Sequence, residues 1–263
     1  MLEDMAAKSS GASVVYEGPY VYCIIGTGEA RNFGPIGIGD RGDPVTTIAY
    51  KDLGAVVSSI PMTKYVVSRG TMISHEKVIE AVMKDYALLP VRFYTVAPNA
   101  EEIRSLLRRR YLEFKKSLRE LDNKVELGLK AFWRDMDAIS QEMAKEDGEI
   151  KALRAKMTGC STRETGYDKD TLGEMLKLAL ENKRAKEREA LLQPLRHLSS
   201  DSCLNTTYGD DMLMNAAFLV DRAWEKEFDR EVEELTARYK DRIEFKYIGP
   251  APPYSFVNIV VKE

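Results

Sequence analysis

The sequence predicts an α+β fold in two parts: an N-terminal α+β domain, then a ferredoxin-like (βαββαβ) domain carrying a helical extension. Three observations predict it. The first half combines β-rich runs with helices that carry apolar stripes. The character of the chain changes near Asp122-Asn123. Beyond that point the order reads strand, helices, strand, strand, helix, strand.

Taken in order, Met1 to Ser13 holds Glu3 and Asp4 and no apolar run, so a signal peptide is not expected there. Residues 1–18 are read as a disordered tail, 19–122 as the first domain and 123–263 as the second. Tyr20 to Ile25 is the first strand, followed by a glycine-dense loop from Gly26 to Asp43. Val45 to Tyr50 and Ala55 to Ile60 read as strands. Ser74 is the expected cap of a helix whose Val78, Ile79, Val82, Met83 and Tyr86 share one face. Leu88 to Val96 returns to strand chemistry. Asn99 opens one helix striped by Ile103, Leu107, Tyr111, Phe114, Leu118 and Leu121.

In the second domain, Val125, Leu127, Leu129, Ala131 and Trp133 alternate with other residues, as in a strand with one buried face. The helical insertion spans about 134–199. Its first part sets Met136, Ile139, Met143, Ile150, Leu153 and Met157 in a near-heptad pattern, ending in a Ser/Thr-rich turn. A long helix from about Asp170 to His197 follows, and its polar middle, Glu181 to Glu189, is expected to project into solvent. Cys203 to Tyr208 and Met212 to Val220 read as strands, the second apolar on both faces as a central strand is. Trp224, Phe228, Val232, Leu235 and Tyr239 stripe a helix. Ile243, Phe245 and Tyr247 make a strand, and Tyr254 to Val261 a final one.

Composition narrows the function. With 39 Lys and Arg against 42 Asp and Glu, the net charge of -3 offers no concentrated basic face for nucleic acid. The three cysteines, Cys23, Cys160 and Cys203, are far apart and form no CxxC pair, which points to reduced thiols in a cytoplasmic protein. No stretch approaches the roughly 18 apolar residues of a membrane span.

Chemical motifs are scarce. Gly26 and Gly28 follow a strand, but Asn32, Gly34 and Pro35 block the helix that a dinucleotide site requires. A flexible connecting loop is the preferred reading, and a small-ligand sensor or enzyme using Gly26–Asp43 with Arg92 is the alternative. His75 and His197 lack HExxH spacing; helix capping, packing and a favourable helix C-terminus explain them. Asp210-Asp211 and Arg41-Gly42-Asp43 read as turns. An RNA-binding module is a third option, weakened because Met212 to Val220 offers only Phe218 for base stacking. No catalytic residue, cofactor or metal site is expected.

Four segments in order resemble the gas vesicle protein F/L family. They are Tyr20 to Ile25 with Leu53 to Ser58; His75 to Ile79 leading to Leu89 to Val96; Lys124 to Lys130; and Asn215 to Arg222, continuing through Phe228-Asp229 to Gly249–Val257. The last, with prolines before Tyr254-Ser255-Phe256, is the most specific. Two positions depart from the pattern: Tyr94 stands where the family usually has glycine, and Ala251 where it usually has an aromatic. The resemblance implies an accessory or minor structural protein of gas vesicle assembly, not an enzyme. It implies contact with the main shell protein and other gas vesicle accessory proteins, and a location on gas vesicles. It also implies an N-terminal α+β domain beside a ferredoxin-like C-terminal one. Arg92, Phe93, Gly249, Pro250, Pro252, Pro253 and Tyr254 are the candidate residues, structural in role and a possible partner surface. The prolines restrict the backbone entering the final strand, and Arg92, if buried, needs a carboxylate or carbonyls. The heptad-like stripe of the helical insertion is the expected contact region for a partner helix.

Overall fold

The computed structural model describes residues 17–39, 41–62, 68–146, 148, 150–152, 165–257 and 259, with the side chains of 165–170 outside the description. Of the expected tail, 1–16 therefore lie outside the described residues, while Glu17 and Gly18 already open the first strand. The chain forms two compact units. One contains the described residues up to Asp122 together with Ile259; the other is Asn123–Val257.

The first unit is a four-stranded sheet of β1 (Glu17–Ile25), β2 (Thr46–Tyr50), β3 (Leu53–Pro61) and β4 (Leu88–Pro90). Their spatial order is β2-β3-β1-β4 and every pairing is antiparallel. Helices α1 (Arg69–Met83), α2 (Ala100–Arg109) and α3 (Tyr111–Glu120) complete it. The stripe Val78, Ile79 and Val82 of α1 is buried with Tyr20, Tyr22, Ile25, Val56 and Ile60 of the sheet. Each such side chain contributes roughly 1.5–3 kcal/mol of burial.

Local chemistry corrects three expectations here. Ser68, not Ser74, caps α1: its hydroxyl accepts from the Thr71 N–H (3.2 Å), and the Ser68 N–H donates to Thr71 Oγ1 (3.0 Å). This reciprocal pair satisfies two amides that the first turn leaves open. The strand after α1 ends at Pro90, whose nitrogen cannot donate, and Tyr94 turns the chain at φ 66°. The helix capped by Asn99 breaks at Arg110 (φ -108°, ψ 22°), whose guanidinium turns onto Glu113 and over the Phe114 ring.

The glycine-dense loop after β1 is pinned rather than loose. The Phe33 N–H donates to the Val45 carbonyl (2.8 Å), Gly37 to Asp43 (3.0 Å), and Ile38 to the Tyr22 hydroxyl (2.6 Å). A Cβ on Gly28 would sit 1.9 Å from the Lys51 carbonyl oxygen, so glycine there serves close backbone approach.

The second unit is built on β5 (Lys124–Trp133), β6 (Asp201–Leu204), β7 (Met212–Asp221) and β8 (Ile243–Ala251). Their order β6-β7-β5-β8, antiparallel throughout, realises the βαββαβ plan. Helices α4 (Met136–Glu146) and α5 (Thr165–Arg196) lie between β5 and β6, and α6 (Glu225–Arg238) between β7 and β8. Val125, Leu127, Leu129, Ala131 and Trp133 form one face of β5, buried with Ile139 and Met143 of α4, Leu191, Leu192 and Leu195 of α5, and Phe228, Val232 and Leu235 of α6.

Three further expectations fail in this unit. The stretch Glu181 to Glu189 does not stand free in solvent. Lys183 meets Glu142, Glu146 and Glu187; Arg242 clasps Glu142 (2.7 and 2.8 Å) and Glu187 (2.6 Å); and the Trp133 indole N–H donates to Glu187 (2.8 Å). Arg184, buried to 6 % exposure, donates to the Asp210 carbonyl at 3.0 Å. These charges pack because residues distant in sequence supply their partners. The heptad-like stripe is likewise consumed internally, with Ile139, Met143 and Ile150 all buried; Leu153 and Met157 lie outside the described residues. Finally, Tyr254–Phe256 is a turn where the final strand is expected to begin, and Ile259 makes an isolated parallel bridge to Val91 in the first unit; residues 258, 260 and 261 of that expected strand lie outside the described residues.

Candidate functional site

The candidate residues fall into two groups, one in each unit. Arg92 and Phe93 follow β4 in the first unit; Gly249 to Tyr254 end β8 and follow it in the second.

In the first group Arg92 is exposed, so it answers no buried carboxylate, and its carbonyl accepts from the Thr95 hydroxyl (2.7 Å). Phe93 packs edge-on against His75 (centroids 5.4 Å apart, 87°). His75 is buried in the second turn of α1, stacked on Tyr22 at 5.6 Å, with Nδ1 2.9 Å from the Tyr20 hydroxyl. That hydroxyl also accepts from the Tyr94 N–H (3.0 Å), which leaves its own proton for a neutral imidazole. Burial holds the His75 pKa at about 4, so the ring is neutral at ordinary pH. Tyr22 continues the chain to Ser58 Oγ (2.7 Å). The cluster therefore joins α1, β1, β3 and the turn after β4 into one core. His197, by contrast, is exposed beyond α5.

In the second group the backbone is tightly constrained. Gly249 has φ 139° and precedes a cis peptide bond to Pro250; a Cβ there would meet Leu127 Cδ2 at 2.8 Å and the Glu126 carbonyl oxygen at 3.0 Å. Pro252 and Pro253 are buried, while Pro250 and Tyr254 are exposed. The segment is fastened by Glu126 on β5. Its carboxylate accepts from the Ser255 N–H and hydroxyl, both at 2.7 Å. Burial pushes the Glu126 pKa up, and the Ser255 donors oppose that shift. Buried prolines and a buried carboxylate thus present a fixed outer surface at Pro250 and Tyr254.

Pro250 and Gly249 also line a cleft of about 660 Å³ between β8 and α6, which Leu127, Asp229, Val232 and Tyr247 share. The Tyr247 hydroxyl donates to Asp229 Oδ1 (2.6 Å); burial and that carboxylate push its pKa up. The sequence pattern does not single out Glu126 or this cleft. Glu126 has one visible signal, a carboxylate between the apolar Val125 and Leu127 of a central strand; the cleft has none, because helix and strand meet only in the fold.

Among the described residues no group of three or more His, Cys, Asp or Glu side chains is placed to hold a metal ion. Cys23 is buried, and burial drives its thiol pKa upward, away from the nucleophilic thiolate. No helix among the described residues is long and apolar enough to cross a membrane.

The family model for "Gas vesicle synthesis protein GvpL/GvpF" matches residues 18–258. Gas vesicle protein F of Nostoc sp. strain PCC 7120 is 31% identical over 212 residues, 77% of this chain and 83% of that protein. Gas vesicle protein L of Streptomyces sp. strain CB03234 is 27% identical over 248 residues, 88% of each chain. The crystal structure of GvpF from Anabaena sp. PCC7120 superimposes with a TM-score of 0.79 at 25% identity, covering 93% of this chain and all of that one. The match spans both sheets and both groups of candidate residues: the chain belongs to the GvpL/GvpF family of gas vesicle synthesis proteins.

Proposed function

We propose that the chain is a non-catalytic accessory or minor structural protein of gas vesicle assembly, acting by binding the main shell protein. Its family places it in gas vesicle synthesis. The observation that carries the finer reading is the segment Gly249–Ser255. Its buried prolines and the Glu126 anchor hold Pro250 and Tyr254 outward as a shaped surface. The groups that would do chemistry point elsewhere: His75 is enclosed by Tyr20, Tyr22 and Phe93, and Cys23 is buried. We place the protein in the cytoplasm on growing vesicles, with the shell protein and other accessory proteins as partners. The ligand-sensor alternative is disfavoured because loop amides at Phe33, Gly34, Gly37 and Ile38 are all engaged within the unit.

The test is co-purification of the tagged full chain with the shell protein from vesicle-producing cells, sampled through assembly after mild crosslinking. Recovery of the shell protein at one or more stages supports the reading; its absence at every stage would defeat it.

A further inference from the structure

We infer that the cleft between α6 and β8 receives an extended, basic segment of a partner protein, added as a short strand to the β8 edge. The inference rests on the reading of the chain as a binding protein and names the chemistry of one contact.

Three features converge. First, β8 is an edge strand, since β5 is its neighbour on one side and no strand flanks the other among the described residues. Its outer N–H and C=O groups are open to pairing. The register break between Glu126/Gly128 and Ala251/Ile248 falls at Gly249 and Pro250, so the usable edge is Ile243 to Ile248. Second, the cleft meets that edge at Tyr247 and is apolar inside, lined by Leu127, Val232 and Pro250. Third, α6 lines the same cleft with Glu225, Asp229 and Glu233. These lie four residues apart, a rise of about 6 Å per step along the helix. Alternate residues of an extended strand step by about 6.6–6.8 Å. A strand on β8 thus presents every second side chain to one carboxylate of α6, with its backbone bonded to the edge.

The charge of the cleft selects the occupant. Among the described residues neither Glu225 nor Glu233 has an ion-pair partner, and Asp229 receives only the neutral Tyr247 hydroxyl. Lysine or arginine at alternate positions satisfies them; anionic lipid and nucleic acid are repelled. A second copy of this chain would set two acidic helices against each other. Lys240 closes the far end of the cleft, so the basic residues belong over the N-terminal part of α6.

The test uses the full chain and a fluorescein-labelled synthetic peptide of alternating lysine and valine, with a glutamate–valine peptide as its counterpart. Binding of the lysine peptide alone is expected. The double variant E225Q/E233Q loses about tenfold in affinity, each exposed pair being worth roughly threefold. T236W, which fills the cleft from an exposed position on α6, abolishes binding. The variant E227Q/E231Q has the same net charge change on α6 outside the cleft and leaves binding intact. All variants are checked for an unchanged melting temperature, and either blocking variant that melts early is replaced by A237W. Equal binding by every variant, equal weakening by both double variants, or a dimer that T236W dissolves would overturn the proposal. Retention of purified shell protein is measured in parallel. If wild type and T236W retain it equally, shell binding stands and the cleft is not its contact. If neither retains it while the peptide behaves as expected, the cleft stands and the shell-protein reading fails.

Discussion

Replacing Gly249 by alanine tests whether the end of β8 is shaped by backbone necessity. The residue sits at φ 139°, a region that side-chain-bearing residues rarely enter. Forcing alanine into it costs about 1–3 kcal/mol. The added Cβ would also meet Leu127 Cδ2 at 2.8 Å and the Glu126 carbonyl oxygen at 3.0 Å. Leu127 is 1 % exposed and part of the central core, so it has little room to yield, and overpacking adds about 1–3 kcal/mol. Alanine recovers about 0.4–1 kcal/mol by restricting the unfolded chain. The expected net loss is about 2–4 kcal/mol, read as a lower midpoint in urea at unchanged slope or a fall of roughly 6–12 °C in melting temperature. A loss below about 0.5 kcal/mol would refute the steric argument and return Gly249 to the status of an ordinary loop residue.

Three other outcomes follow from the same structure. Gly173 is exposed within α5 and a Cβ there meets nothing within 4 Å, so G173A is expected to stabilise by about 0.5–1 kcal/mol in thermal melts. Tyr94 holds φ 66°, a region glycine enters freely; Y94V is expected to lie about 1–2 kcal/mol below Y94G in stability, because a β-branched residue tolerates positive φ worst. Acid weakens the fold in two windows. His75, held neutral with its pKa at about 4 against 6.5 unfolded, gives stability that is complete above pH 6.5 and lost as pH falls toward 4, about 3 kcal/mol. Glu142, held at about 2 against 4.5 by Arg242 first and Lys183 second, gives stability lost between pH 4.5 and 2. Its partial exposure reduces that to about 1 kcal/mol. H75F is expected to flatten the first window and R242M the second in pH-dependent denaturation; unchanged profiles would dismiss these assignments.

What the sequence determines by itself is whatever follows from local periodicity. The alternation from Val125 to Trp133 does become β5, and the stripe from Phe228 to Leu235 does face the core. The cap at Asn99 forms as its chemistry requires, its Oδ1 accepting from the Glu102 N–H at 3.0 Å. The two-sided apolarity of Met212 to Val220 matches the central place of β7. These succeed because side-chain direction repeats every two or 3.6 residues, whatever lies across the sheet. Tertiary structure alone decides the order β2-β3-β1-β4, since pairing partners leave no mark on a strand's own pattern. It alone buries Arg184 and largely covers Lys183, which read as a solvated face until Glu142, Arg242 and the Asp210 carbonyl arrive from other elements. It alone turns the signature segment into a site. Gly249 and the prolines are visible in one dimension, but Glu126 reaches Ser255 across 129 positions, and the acidic face of α6 meets the β8 edge only after folding. Burial and charge pairing are relations between segments, and a linear reading sees one segment at a time.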